Sequence, residues 1–314
     1  QHAFHAAQDP LPLAELRGIA AGYGLAEADL FAHLHLSLLR VRKRRPARHG
    51  DGCSAWAVSD GHDGPMLVKN RDTSGRNFGV QRVMRHEGPD LAAGGLLCVG
   101  SLGSPAGYSS GINDRGFALA DTHVDATAPM VGWLRYFLMT RLLAECACVK
   151  DALSRIGAVP HAGGGTLVMA DRSGDLAAVD FAGPAPSVTT GRLVWRTNHY
   201  PGEGDASQVH DPGPDTIRNT STARFAFLGR VLPGRTWGRE DAGGLMATHA
   251  SPIVDGPLVC AHRGAGTSET LSCAIYTPRD GRLTFSDGQP CRGRWAAYGA
   301  QGRAPDGLQS GQQR

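Results

Sequence analysis

The chain has no run of 18 apolar residues, so nothing in it reads as a membrane span. It has no CxxC pair, and its seven cysteines are an odd number scattered over 314 residues. That argues against a disulfide framework or a zinc ribbon and fits free thiols in a reducing compartment, so a cytoplasmic location is expected. Excess charge of one sign is also lacking. With 32 Lys and Arg against 29 Asp and Glu, the net +3 is too small to argue for nucleic acid. Gly163-Gly164-Gly165 is not followed by Gly-Lys-Ser/Thr and precedes a strand-like run, which excludes a phosphate loop. The opening, Gln1-His2-Ala3-Phe4-His5, has neither Met nor a signal-peptide layout, and a trimmed or fragmentary start is expected.

What is present is glycine, 43 residues of it, in a chain with 41% hydrophobic and 19% charged residues. This is an ordinary globular composition with many turns, and the length suits one large domain or two small ones. Apolar spacing predicts two helices between 11 and 40, broken near Gly22–Gly24. They run into Arg40–His49, where six basic side chains in nine positions from Arg40 mark a solvated linker. Strand-like runs follow at 80–85 and 96–101, and Asn113-Asp114-Arg115-Gly116 turns a hairpin in which Asn113 is read as structural. A helix of about five turns is expected over 132–149, with Cys146 and Cys148 on different sides of it, and a short one over 150–156. Strands at 166–170, 176–181 and 193–200, helices from Ser221 and over 240–249, and a hairpin over 270–286 complete the order. Hairpins, a helical pair, then strands, helices and strands predict an α+β fold. It is a four-layer αββα sandwich of two antiparallel sheets.

The stretch with the most chemistry is Asp51-Gly52-Cys53, followed by an alternating strand, a polar turn and a second strand that ends Asn70-Arg71-Asp72. The second strand of this hairpin returns a charged trio to the cysteine. Cleavage at Gly52–Cys53 by the protein itself would give Cys53 a free α-amine, whose ordinary pKa is about 8. Nucleophilic thiol and base would then share one residue. Glycine leaves the carbonyl under attack uncovered. The competing reading makes Cys53 a buried strand cysteine and nothing more.

Other candidates stand further on. Asn198, in Thr197-Asn198-His199-Tyr200, can donate its side-chain amide to an oxyanion. Arg224 is placed in the first turn of a helix capped by Thr220 or Ser221, where a cation opposes the helix dipole, so a role outside helix stability is expected. Asp121 and His123 follow a strand and could line a pocket. His249, Cys260 and His262 offer metal-ligand chemistry, but no second pair is seen to complete a tetrahedral set, and no metal is expected.

Taken in order, these landmarks carry a resemblance, joined by Ser221-Thr222-Ala223-Arg224-Phe225 and Gly288-Gln289-Pro290-Cys291. Over roughly residues 50 to 292 the chain resembles the N-terminal-nucleophile (Ntn) hydrolases of the acyl-coenzyme A:6-aminopenicillanic-acid acyltransferase type. These are distant relatives of the choloylglycine hydrolases.

The resemblance implies an Ntn-hydrolase fold, self-cleavage between Gly52 and Cys53, and Cys53 as nucleophile. It implies Asp72 as the carboxylate that orients the new amine, Arg71 as support for the thiolate, Asn198 in the oxyanion hole and Arg224 as the residue tying the cluster together. The choloylglycine relatives carry a further asparagine after the Asn-Asp-Arg-Gly type hairpin. Here Thr122 and His123 occupy that region, and with Ser221 they are the expected pocket residues. That departure leaves the second oxyanion donor unassigned and argues against bile-salt specificity. Cys291 is a landmark without assigned chemistry.

The expected organisation is a helical prosegment and basic linker over 1–52, a catalytic domain over 53–298 and a disordered tail over 299–314. The expected activity is amide hydrolysis or acyl transfer on small acylated amines or thioesters, with the chain's own prosegment as first substrate. No cofactor is expected, and acyl-coenzyme A is a candidate substrate. No nucleic-acid or membrane partner is expected, and the oligomeric state stays open. Two other readings are a non-catalytic binding protein left uncleaved and a His/Cys metal-dependent hydrolase.

Overall fold

The computed structural model of the protein describes residues 1–34, 52–105, 107–124, 129–202, 217–249, 259–262, 268–299 and 302–303. The basic linker at 40–50 and most of the expected tail, 304–314, lie outside the described residues. Helices α1 (His2–Gln8), α2 (Leu11–Tyr23) and α3 (Glu27–Leu34) come first. Gly24 ends α2 at φ 66, near the expected break. Strands β1 (Gly52–Gly61) and β2 (Gly64–Ser74) follow, then β3 (Gln81–His86), β4 (Leu96–Ser101), β5 (Ser110–Asn113) and β6 (Ala118–Thr122). Helices α4 (Arg135–Glu145) and α5 (Val149–Gly157) separate these from β7 (Thr166–Ala170), β8 (Leu176–Asp180), β9 (Ser187–Thr190) and β10 (Leu193–Arg196). Helices α6 (Ile217–Val231) and α7 (Arg239–Met246) precede β11 (Ser268–Thr277), β12 (Arg282–Asp287), β13 (Trp295–Gly299) and β14 (Gly302–Arg303).

Among the described residues the strands form two antiparallel sheets, ordered β10-β1-β2-β11-β12-β13-β14 and β3-β4-β5-β6-β7-β8-β9. Strand alternation sorts the apolar side chains into three layers. Ala55, Ala57 and Leu67 of the first sheet meet Leu97, Ile112 and Val168 of the second between the sheets. Trp56, Val58, Met66 and Val68 face the other way, onto Leu228, Ala242 and Met246 of α6 and α7. Outside the second sheet, Leu119, Leu167 and Val179 pack against Phe137, Leu138 and Leu142 of α4, and against Leu13, Leu16, Leu30 and Leu34 of α2 and α3. Helices, two sheets and helices stack as the expected αββα sandwich. The segment before Gly52 contributes buried side chains to that outer core.

Several local expectations are corrected. The helix read over 132–149 is only α4, because Asn113 Nδ2 donates to the carbonyls of Leu143 (2.9 Å) and Cys146 (2.7 Å) and closes its last turn. Cys146 is extended, and it lies with Cys148 between two helices, not on one. Asn113 Oδ1 also accepts from the backbone of Arg115 and Phe117, the structural role assigned to it. Helix α6 begins at Ile217, four residues before the expected Ser221 cap, so Arg224 lies beyond its first turn. Helix α1, strand β9 and strands β13 and β14 were not foreseen, and pairing continues past residue 298 into the expected tail. No helix among the described residues is long and apolar enough to cross a membrane.

Candidate active site

The β1–β2 hairpin places Gly52 opposite Asp72, Cys53 opposite Arg71 and Ser54 opposite Asn70. Paired residues share a face, so Arg71 and Cys53 both lie toward the inter-sheet side while Asp72 lies over Gly52. The Asp72 carboxylate accepts from Thr270 Oγ1 on β11 at 2.7 Å. Asn70 points outward and donates to the carbonyls of Met246 and Val259, which fastens α7 to β2.

Strand β10 brings the second half. Ala55 pairs with Arg196, so the residues after β10 run alongside the start of β1. Arg196 is clamped by a two-pronged ion pair to Asp180 of the other sheet, at 2.7 and 2.8 Å. Ser221, buried within α6, accepts from the Asn198 backbone N–H at 2.7 Å and bonds Thr197 and His199. Held on both sides, Asn198 turns its Oδ1 to the Cys53 backbone N–H, 2.8 Å away. Arg224 then forks: Nη2 donates to Asn198 Oδ1 and Nη1 to Ser54 Oγ, both at 2.8 Å, and Nη1 also donates to the Cys53 carbonyl.

Cys53, Asp72, Asn198, Arg224 and Arg71 therefore converge on the start of β1. Asn198 is oriented differently from expectation: Oδ1 faces Cys53, and Nδ2 donates to the His123 carbonyl at 2.8 Å. Thr122 is not a pocket residue. It is fully buried, bonds Thr166 at 2.7 Å and donates to the Thr197 carbonyl, which ties the two sheets together. Ser221 is likewise buried and braces the 197–199 segment instead of lining a pocket. His123 is half-buried, with Arg135 3.2 Å from its Nδ1.

Sequence reading missed Lys69, Tyr108, Arg135 and Tyr136. Lys69, two residues from Arg71 on the same face, donates to Asp121 and to the Ser109 carbonyl. Arg135 bonds the other Asp121 oxygen at 2.9 Å. Burial alone would raise the Asp121 carboxyl, but these two cations outweigh it and hold it below the usual range. The rings of Tyr108 and Tyr136 stack at 4.2 Å, with Arg71 over the first and Arg135 over the second, each 5.1 Å from the ring centre. Only the strand periodicity around Lys69 could have signalled one of them, since it puts a lysine on an inward position.

A separate group also comes together. Cys260 and His262 are joined by His249 and Cys291, so the expectation that nothing completes the set is overturned. Burial, with Cys291 beside it, pushes the Cys260 thiol up to about 12.

The model of one protein family, described as acyl-coenzyme A:6-aminopenicillanic acid acyl-transferase, matches residues 59–292. The chain belongs to this acyltransferase family. That places it in an enzyme family whose description names acyl transfer. No curated protein matches it. Among solved structures, a mutant of conjugated bile acid hydrolase from Clostridium perfringens is 10% identical, covering 79% of this chain and 92% of that one, with a TM-score of 0.48. Penicillin V acylase from Agrobacterium tumefaciens is 15% identical, covering 75% and 82%, with a TM-score of 0.42. The acyltransferase-family match begins seven residues after Gly52 and ends one after Cys291, so it contains Asp72, Asn198 and Arg224 but stops short of Cys53.

Proposed function

We propose that the chain is a self-processing cysteine Ntn enzyme that cleaves or transfers the acyl group of small acylated amines or thioesters through Cys53. One observation carries this reading: the Cys53 backbone nitrogen, the atom that cleavage would turn into an α-amine, sits 2.8 Å from Asn198 Oδ1. In maturation the Cys53 sulfur attacks the Gly52 carbonyl carbon. The C–N bond breaks, the nitrogen takes the thiol proton, and Gly52 is left as a thioester on Cys53. The nitrogen so freed is the amine that Asn198 Oδ1 faces, and water then hydrolyses the thioester to a Gly52 carboxylate and a free thiol.

In turnover that amine takes the thiol proton and the sulfur attacks the substrate carbonyl, with Arg71 supplying positive charge on the same face. An asparagine amide carries two donor hydrogens. One serves the His123 carbonyl, and the second is assigned to the developing oxyanion. The departing amine or thiol takes the proton back, and water or an acceptor amine resolves the acyl-enzyme. Acyl-coenzyme A, named in the family's description, is a candidate acyl donor. The stacked Tyr108 and Tyr136 are assigned as the wall against which the acyl group lies.

The test is the intact mass of the folded wild type beside Cys53→Ala. The expected result is a wild-type fragment beginning at Cys53 and a mutant that stays whole. If wild type also stays whole once folded, self-processing is wrong.

A further inference from the structure

Four soft donors outside the proposed active site meet at one point. His249 follows α7, Cys260 and His262 lie on the segment before β11, and Cys291 sits in the middle of a 3-10 turn, Pro290–Arg292. One ligand atom from each falls within 4.8 Å of all the others. The two sulfurs are 3.8 Å apart, and His262 Nε2 is 3.4 Å from Cys260 Sγ and 3.1 Å from Cys291 Sγ. Thiolates about 2.3 Å from a shared tetrahedral centre would be ~3.8 Å apart, and a thiolate and an imidazole nitrogen ~3.6 Å apart. The rings of His249 and His262 stand edge to face, with centres 4.7 Å apart. Three segments distant in sequence thus present the Cys2His2 donor set of a closed zinc site.

We propose that His249, Cys260, His262 and Cys291 bind one zinc ion that clips the end of α7, the segment 259–262 and the Pro290–Arg292 turn together. With four protein ligands there is no open position for water or substrate, so the role is structural. Its reach extends to the active site through one residue. Thr270 accepts from the Ala261 N–H, between the two ligands Cys260 and His262, at 2.8 Å, and donates its own hydroxyl hydrogen to Asp72. The Cys260 N–H bonds the Thr248 carbonyl, next to His249. The clip holds the segment that holds Thr270, and Thr270 holds Asp72.

The experiment is metal analysis of the full chain purified in reductant and dialysed against zinc, beside Cys291→Ser, His249→Ala and Cys53→Ala. Expected are one zinc per chain in wild type and in Cys53→Ala, and zinc affinity weakened ~100-fold or more in the two ligand variants, since even outer partners of such sites are worth ~10–100-fold. Both ligand positions are exposed, so at least one variant should fold. Cobalt in place of zinc should give the intense visible bands of a tetrahedral thiolate site, lost in Cys291→Ser. Absence of bound zinc in wild type, a Cys260–Cys291 disulfide persisting in reductant, or loss of zinc in Cys53→Ala overturns the proposal. Because Cys53→Ala keeps the clip, failure here and failure of the Cys53 reading are separately visible.

Discussion

Gly52 lies directly across from Asp72, and a methyl group at Gly52 would come within 2.9 Å of Asp72 Oδ2 and 3.0 Å of its Cβ. The constraint is steric. Gly52→Ala must push away the carboxylate that the mechanism assigns to the new amine, at a cost of ~1–3 kcal/mol typical of overpacking. The expected outcome is a folded protein whose self-cleavage slows by about tenfold or more, followed as the ratio of whole to cut chain with time. Cleavage at the wild-type rate would show that Asp72 does not need its present position.

Arg224 makes three contacts with one planar group, to Cys53, Ser54 and Asn198. Lysine keeps the charge but cannot fork. Arg224→Lys should therefore retain the fold, lose about 1–3 kcal/mol through the abandoned buried partners, and cut kcat by ~100-fold. Denaturant unfolding and turnover rates check the two parts. A kcat near wild type would reduce Arg224 to a point charge.

The helix positions of α2 and α3, the hairpin at 113–116 and the paired strands at 53–72, 166–181 and 270–286 were legible because apolar period and turn glycines act locally. The start of α6 was not. Ser221 has the chemistry of a cap, yet its hydroxyl serves Thr197 and Asn198, a contact made across 24 and 23 residues. Thr122 was misread for the same reason: its partners, Thr166 and Thr197, are distant in sequence. The hairpin of Cys53 needed only local pattern, whereas the Tyr108–Tyr136 stack and the joining of Cys291 to Cys260 depend on how the sheets and helices pack. No periodicity encodes that.

Tyr108 and Tyr136 stack beside the face that Cys53 and Arg71 share. Stacked aromatic pairs contribute ~0.5–1.5 kcal/mol beyond burial, and an acyl chain lying on them would lose that wall in Tyr108→Ala. KM should rise several-fold with self-cleavage of Gly52–Cys53 unchanged. Equal loss of both activities would place Tyr108 in support of Arg71 and not in substrate binding.

Leu13, Leu16, Leu30 and Leu34 are buried against α4 although they precede the proposed cut. Cleavage alone removes none of that contact. Both pieces should elute together from a sizing column and part only in denaturant. Leu16→Ala, at a fully buried site, should cost ~2–5 kcal/mol and loosen the N-terminal piece. A cut protein that sheds residues 1–52 in plain buffer would contradict this.

Asp121 is shared by Lys69 and Arg135, all three in the interior beside the Arg71 face. Asp121→Asn leaves two buried cations short of their counter-charge, and breaking such a set costs ~3–5 kcal/mol. The pH dependence has a definite sign. Because the folded carboxyl titrates below the ordinary value of about 3.9, its contribution is complete above that value. It is lost as pH falls through the depressed folded value. Unfolding free energy from urea titrations should therefore drop for wild type between about pH 4 and lower pH, while Asp121→Asn starts lower and lacks that component. Parallel curves for the two proteins would mean that Asp121 is already protonated in the fold, and that the cations beside it are neutralised in another way.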